Sequence, residues 1–99
     1  MATGAGQFGT QSSGALAANA AIKAAPGFLH SAMIYGDGTN LAKAIVYDDI
    51  DSAHGTVLAV LECKTEGYAP FTPAQPVRAK AGMYVAISGT SAGFIAHYE

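Results

Sequence analysis

From residue 77 to residue 87, every odd position carries an apolar side chain: Val77, Ala79, Ala81, Met83, Val85 and Ile87. Arg78, Lys80, Tyr84 and Ser88 lie on the other side of this alternation. A period of two places successive side chains on opposite faces of a β-strand, whereas a helix repeats every ~3.6 residues. The segment therefore predicts one strand with a buried face, interrupted at Gly82 by a bulge or by the close approach of another backbone.

The same alternation recurs along the chain in shorter runs separated by turn-forming residues. These runs are Phe28–Tyr35, Leu41–Tyr47, Thr56–Lys64 and Phe94–Tyr98. Gly36-Asp37-Gly38 predicts a hairpin turn, and the prolines of residues 66–76 predict a long loop. Five or six short strands with turns every ~8–12 residues predict an all-β fold, either a small antiparallel β-sandwich or a jelly-roll-like barrel.

The alternation also predicts which side chains share a face. In the first run, Leu29, Met33 and Tyr35 fall on one side of the strand. In the run 56–64, Cys63 is in phase with Val57, Ala59 and Leu61, so it is expected as a buried small apolar residue rather than a reactive thiol.

The first 22 residues carry no charged side chain and few groups that a core could bury. The larger apolar residues among them, apart from Met1, are Phe8, Leu16 and Ile22. Small residues and repeated glycines make ordering costly, since little apolar surface can be buried in return. The sequence therefore predicts a flexible low-complexity arm, 1–22, running into a first strand around residues 20–24, and a β-sandwich domain, 23–99. Phe8, Leu16 and Ile22 are the predicted partner-binding residues of the arm.

Composition limits the classes of function open to the chain. Five Lys and Arg against seven Asp and Glu give a net charge of −2, so no basic surplus is present to neutralise phosphates and we expect no nucleic-acid partner. No apolar run approaches the ~20 residues of a membrane helix, and the N-terminus lacks the basic and apolar regions of a secretory signal. We therefore expect no membrane partner and synthesis in the cytoplasm.

A metal site is the first chemical alternative considered. His30 and His97 fall on predicted strands and could meet across a sheet, with Glu99 as an acidic third ligand, but their spacing matches no ligand pattern and partly exposed strand histidines are favoured. Asp37, Asp48, Asp49 and Asp51 could contribute to a calcium site, although turn aspartates that accept local backbone N–H groups are favoured. The sequence thus predicts no catalytic residue, no metal site, no cofactor and no enzyme activity.

A glycan-binding module is the second alternative, because the chain has five tyrosines. Such a module would gather its exposed tyrosines on one face of a sheet. Packing at the rim of the core is favoured, since Tyr35, Tyr47, Tyr84 and Tyr98 fall at or near predicted strand ends, where a ring can pack while its hydroxyl reaches water.

Several short motifs resemble those of a group of small virion proteins of tailed bacteriophages. They are Lys23-Ala24-Ala25-Pro26-Gly27-Phe28-Leu29-His30, Ala44-Ile45-Val46-Tyr47-Asp48, Gly55-Thr56-Val57-Leu58, Lys80-Ala81-Gly82-Met83-Tyr84-Val85 and Ile95-Ala96-His97-Tyr98. Together they span about three quarters of the chain. The group resembles head decoration (cement) proteins, whose small β-sandwich cores sit on the capsid shell, often as trimers.

This resemblance implies a function that agrees with the composition. It implies a capsid decoration protein on the virion surface that binds and stabilises the lattice of the major capsid protein, as a homo-oligomer with a trimer favoured. A marginal core with a neutral arm suits such an assembly, since ordering the arm requires a large partner surface. A fibre, tail or adaptor component of the phage, with a glycan-binding module as one form, is the alternative.

Overall fold

The computed structural model describes residues 10–99, which form strands and connecting turns without any helix. The nine strands are β1 Gln11–Ser12, β2 Ala20–Lys23, β3 Gly27–Tyr35, β4 Ala42–Asp48, β5 Thr56–Cys63, β6 Tyr68–Phe71, β7 Val77–Ala79, β8 Met83–Ser88 and β9 Gly93–Tyr98. The predicted all-β class is confirmed.

The strands form two antiparallel sheets packed face to face. The five-stranded sheet has the order β1-β9-β3-β6, with β7 also paired to β3, and the four-stranded sheet has the order β2-β8-β4-β5. When β6 and β7 are counted as one interrupted strand, the first strand pairs with the last, the second with the second-last, and so on inward to β4 and β5. This nested pairing is the strand order of a jelly roll, so the predicted sandwich takes that form.

The core combines small and large side chains from the facing sides of the two sheets. Alanines alternate inward along β4, where Ala42, Ala44 and Val46 are fully buried. The largest fully buried side chains are Phe94, Leu29, Ile34, Met83, Val46 and Val85. Alanine leaves room for the larger residues opposite, which is how a thin sandwich fills its interior. Cys63 is buried, as predicted.

The N-terminal stretch differs in part from the prediction. Strand β2 lies where a first strand was expected, around residues 20–24, but β1 and a bridge at Leu16 order residues that were predicted as a flexible arm. Gln11 and Ser12 pair with β9, and the backbone N–H and C=O of Leu16 bond those of Phe94, both at 2.8 Å. Ile22, on β2, is buried in the core. The sandwich therefore begins well before the predicted boundary at residue 23, because unpaired backbone groups of β8 and β9 order a segment that has little apolar content of its own.

Bulges change two of the predicted faces. In β3 the pairing with β9 shifts register between Leu29 and Ser31, so Leu29 and Ile34 are buried while Met33 is 38% exposed. In β5 the shift leaves Leu58 without a direct partner in β4 and places Val57 outside, at 50% exposure. The extra residue of a bulge reverses which side chains point inward along the rest of the strand. The strict period of two was therefore wrong across the bulges of β3 and β5.

Three connections also differ from the sequence expectations, because the chain repeatedly crosses between the sheets. The turn after Tyr35 joins β3 to a strand of the other sheet and is not a hairpin. Residues 66–76, predicted as a loop, contain β6, an edge strand that tolerates Pro70 because its outer backbone groups need no partner. The predicted strand 77–87 is divided between β7 and β8, which belong to different sheets.

Candidate functional site

An apolar groove lies on the outer face of the five-stranded sheet, on the side away from the core. It has a volume of ≈ 170 Å³. The residues that line it come from β3, β6 and β9 and the segment after β6: Ser31, Ala32, Met33, Pro70, Thr72, Ile95 and His97. The floor is apolar, and the polar groups of Ser31 and His97 stand at one end.

The register of three neighbouring strands builds this groove. Met33 lies directly between Pro70 of β6 and Ile95 of β9. The bulge of β3 is what turns Met33 outward, because it moves Ala32 and Ile34 to the core face. Pro70 lies at the edge of the sheet and the flexible side chain of Met33 lies in the centre of the groove. Larger, rigid side chains at these positions would fill the depression.

A row of aromatic side chains borders the groove. Tyr35 lies opposite Tyr68 on one side and Gly93 on the other. A Cβ atom at Gly93 would overlap the ring of Tyr35, so the ring lies flat over the glycine. Tyr68 is 57% exposed and extends the apolar surface toward the edge of the sheet.

The outer face of the four-stranded sheet carries a second apolar surface, which is flatter. Its central side chains are Ile45, Tyr47, Val57, Val60, Tyr84 and Ala86. They meet across the strands as direct pairs, Ile45 with Val60 and Ala86, and Tyr47 with Val57 and Tyr84. Val57 and Val60 are 50% and 55% exposed. The other four side chains are partly buried.

The tyrosines divide between the two outer faces. Tyr35 and Tyr68 form one cross-strand pair, and Tyr47 and Tyr84 form another on the opposite sheet. Tyr98 alternates inward with Phe94 and Ala96 and packs against the core. The gathering on one face expected of a glycan-binding module is therefore not found among these residues, whereas their predicted positions at or near strand ends are confirmed.

His30 and His97 do not meet but form separate contacts. His30 Nε2 is 3.0 Å from Glu99 Oε1, with both side chains partly exposed. His97 Nδ1 is 3.2 Å from Ser31 Oγ. Within residues 10–99, no three His, Cys, Asp or Glu side chains converge in a way that could hold a metal ion.

The Ser31–His97 pair has the two residue types of a nucleophile and its base. Catalysis by such a pair also needs a third group that orients the imidazole. Over the described residues, Ser31 is the side chain within hydrogen-bonding distance of the His97 ring, and no carboxylate or amide accompanies it. The pair is best explained as a cross-strand contact at the end of the groove.

Asp37 and Asp49 accept local backbone N–H groups, as the sequence predicted, whereas Asp48 binds a distant segment of the chain. The carboxylate of Asp48 accepts the N–H groups of Lys80, Ala81 and Gly82 at 3.0, 2.8 and 3.3 Å. These bonds, that from Ala81 first, hold the pKa of Asp48 below its usual range. Asp37 accepts the N–H groups of Asn40 and Thr39, and these bonds likewise lower the pKa of that carboxyl.

The three residues predicted to bind a partner, Phe8, Leu16 and Ile22, differ in how far they are buried or described. Phe8 lies outside the described residues, and its contact stays a prediction. Leu16 is half-buried against the core, and Ile22 lies within it. The assignment of Ile22 is corrected accordingly, since its side chain already contacts the opposite sheet and offers little surface to a second molecule.

Both outer faces were missed by the sequence reasoning, although β4 carried a signal for one of them. In the run Ala42–Tyr47 the alanines and valine occupy one face, and Ile45 and Tyr47 occupy the other. When the core face of a strand carries alanines and its outer face carries large apolar residues, the pattern indicates that the outer face also takes part in a contact.

No family model, no curated protein and no solved structure matches the chain. Across residues 10–99 no helix is long and apolar enough to cross a membrane.

Proposed function

We propose that this chain is a bacteriophage capsid decoration protein that binds the lattice of the major capsid protein and stabilises it. The observation that carries the proposal is the apolar groove on the outer face of the five-stranded sheet, which is open to solvent beside exposed Tyr68. An exposed groove lined by apolar side chains is the kind of surface at which proteins associate.

The groove suits a protein partner better than a reaction. Its floor is formed by Met33, Pro70 and Ile95, and a methionine can adjust its shape to a side chain that inserts from another molecule. A volume of ≈ 170 Å³ is close to the ~150 Å³ cavity that binds benzene in an engineered protein. One protruding aromatic or aliphatic side chain of the capsid protein would fill it.

The fold and the sequence motifs support the same class of function. Jelly rolls occur in viral capsid proteins and in lectins, so the fold permits the proposal without selecting it. The motifs that resemble phage decoration proteins lie on β3, β4, β5, β8 and β9, which build both sheets. Many copies on one shell would give firm attachment from contacts that are individually weak.

Co-sedimentation with capsids tests the proposal. The purified full chain is mixed with capsids assembled from the major capsid protein of the same genome, and the bound fraction is measured over a concentration series. Met33→Glu places a charge in the floor of the groove, at a position 38% exposed, and we expect at least a tenfold weaker binding from desolvating that charge. Leu41→Glu, at a position 48% exposed outside the groove, is the matched control and should bind as the native chain does.

Each result of this experiment has a consequence. Binding that is lost in Met33→Glu and kept in Leu41→Glu supports attachment through the groove. No binding of the native chain to capsids contradicts the decoration function, and binding to purified tails or fibres in the same assay would favour the alternative position on the virion. If both variants bind as the native chain does, the protein attaches to the capsid by a surface other than the groove.

A further inference from the structure

We propose that the free edge of β5 accepts an extended segment of another protein as an added strand of the four-stranded sheet. β5 is the last strand of that sheet and has β4 on its one paired side. Every second residue of such a strand directs its backbone N–H and C=O groups outward. Over residues 10–99, no backbone hydrogen bond other than those to β4 involves the strand Thr56–Cys63. This inference concerns a surface distinct from the groove and does not depend on attachment to a capsid.

The other sheet edges are protected in ways that β5 is not. β1 has two residues and β7 has three, β6 contains Pro70, and β2 has four residues with a register shift before Lys23. Short length, proline, bulges and lysine are the features that prevent pairing at an edge. β5 has eight residues and no proline. Its register shift lies near its start, at Leu58, so residues 59–63, called the docking edge below, keep regular pairing with β4.

The chemistry of the docking edge selects an extended main chain as its occupant. Outward N–H and C=O groups that recur at the spacing of a strand are matched by the backbone groups of a second strand. A helix offers no such row, because its own backbone groups already bond one another. Val60 is 55% exposed on the outer face of the sheet, whereas Ala59, Leu61 and Cys63 are buried. The added strand therefore needs an apolar residue opposite Val60.

Glu62 argues against a second copy of β5 as the added strand. It is the one charged residue of β5, and its side chain is 54% exposed. Two copies that pair antiparallel about a two-fold axis place residues of the same face opposite each other. Within the strand, Glu62 would then lie opposite Leu58, Val60 or the second Glu62, which desolvates a carboxylate against an apolar side chain or brings two negative charges together. Opposing Glu62 with Lys64 would require residues 64–66, which form a turn, to act as a strand.

The charge of Glu62 instead defines the partner. Lys43 of β4 lies 3.9 Å from its carboxylate, and both side chains are exposed, so this contact leaves the carboxylate open to a cation on its other side. The partner is thus an extended segment with an apolar residue opposite Val60 and a lysine or arginine opposite Glu62. Backbone hydrogen bonds supply the affinity, and these two side chains set the register.

NMR titration of the full chain with a cyclised β-hairpin peptide tests the docking edge. One strand of the hairpin alternates valine and threonine and carries a lysine on the same face as a valine, two residues away. Cyclisation lowers the cost of ordering the peptide. The amide signals of residues 59–63 should shift, while those of β2 and of Met33 in the groove stay constant. The matched control hairpin has the same side chains but N-methyl groups on the outward N–H groups of that strand, and we expect it to bind at least about tenfold more weakly.

The charge preference is tested with a second hairpin, in which glutamate replaces the lysine. We expect it to bind the native chain at least about threefold more weakly, because it places a like charge opposite Glu62. Glu62→Gln should abolish this difference between the two hairpins. Asp51→Asn removes the same charge from the connection between β4 and β5 and is the matched control, which should keep the difference.

Several results would overturn the inference. These are the absence of shifts at residues 59–63 up to about millimolar hairpin, equal binding of the N-methylated hairpin, and shifts that map to another edge or to the groove. Shifts of residues 59–63 with protein concentration alone would also overturn it, because they would identify a second copy as the occupant. A preference for the lysine hairpin that persists in Glu62→Gln would overturn the assignment of a basic partner residue.

Discussion

The carboxylate of Asp48, at the end of β4, accepts the backbone N–H of Ala81 at 2.8 Å, and the same carboxylate binds the N–H groups of the residues on either side. Three successive N–H groups at the crossover from β7 to β8 form a small anion-binding nest, and Asp48 fills it. Gly82 allows the backbone of Lys23 to pack closely against this crossover, because a Cβ there would lie 2.6 Å from the carbonyl oxygen of Lys23.

Two of the short sequence motifs therefore meet in one structural unit. The Tyr47-Asp48 strand end supplies the acceptor, and Lys80-Ala81-Gly82 supplies the donors. Gly55, at φ 84°, lies against the carbonyl of Asp48. These motifs serve the fold at a crossover between the sheets, and the surfaces proposed for binding lie elsewhere.

Replacing Asp48 by asparagine should lower the free energy of unfolding by about 1–2 kcal/mol. The amide lacks the negative charge, and its NH₂ group cannot accept a bond from the nest. Urea unfolding followed by circular dichroism measures the change. Asp51→Asn is the control, because the carboxylate of Asp51 accepts no hydrogen bond from the described residues, and it should leave the unfolding midpoint nearly unchanged. Equal effects of the two substitutions would contradict the role assigned to Asp48.

The lowered pKa of Asp48 also predicts how stability depends on pH. Hydrogen bonds from Ala81 and its neighbours stabilise the charged form, so the pKa in the folded state lies below that in the unfolded state. The contribution is therefore complete above the unfolded pKa and is lost as pH falls through the folded pKa. Unfolding free energies measured from about pH 6 to pH 2 should fall in the acid range. The decrease should be smaller in Asp48→Asn, and identical slopes in both proteins would contradict the prediction.

Val85→Asp should prevent folding or cost more than about 4 kcal/mol. Val85 is fully buried in β8, and no positive side chain accompanies it among the buried residues described. Ser88→Asp is the control on the same strand, since Ser88 is exposed and lies opposite Lys43, and it should change stability by less than about 0.5 kcal/mol. Thermal unfolding of the two variants compares them. A folded, stable Val85→Asp protein would mean that the face assignment of β8 is wrong.

Cys63 should react with a thiol reagent only when the chain unfolds. Burial, and to a lesser extent the charge of Glu66, raises the pKa of this thiol, and the thiolate is the reactive form. Labelling with an aromatic disulfide reagent should be slow in native conditions and complete in concentrated urea. Rapid stoichiometric labelling of the folded chain would show that this corner of the core opens easily.

The alternation of side chains predicted the parts of the fold that follow a strict period of two. It assigned Met83 and Val85 to the buried face of their strand and Cys63 to the core, and all three are buried. It failed at Met33 and Val57, because a bulge adds one residue without leaving a mark in the apolar pattern. The bulges follow from pairing with neighbouring strands, which is not a local property of the sequence.

The first strand, β1, was missed for a related reason. Gln11 and Ser12 carry no apolar pattern, and they are ordered by the backbone of β9, with the hydroxyl of Ser13 accepting the N–H of Ala96 at 2.9 Å. The crossing of the chain between sheets at residues 80–82 depends on Asp48, more than thirty residues away. The apolar groove depends on the bulge in β3 that exposes Met33. Because the alternation does not reveal this bulge, the sequence predicted partner-binding residues in the N-terminal arm and none in the groove.

The central claim is that this jelly roll sits on a phage head. The most direct measurement is an electron cryo-microscopy reconstruction of phage particles with and without the chain. The account predicts additional density on the outer surface of the capsid in particles that contain it, of the size of a 10.0 kDa sandwich, with the groove of the five-stranded sheet facing the shell. Heads of identical density in the two reconstructions, or new density on the tail alone, would contradict it.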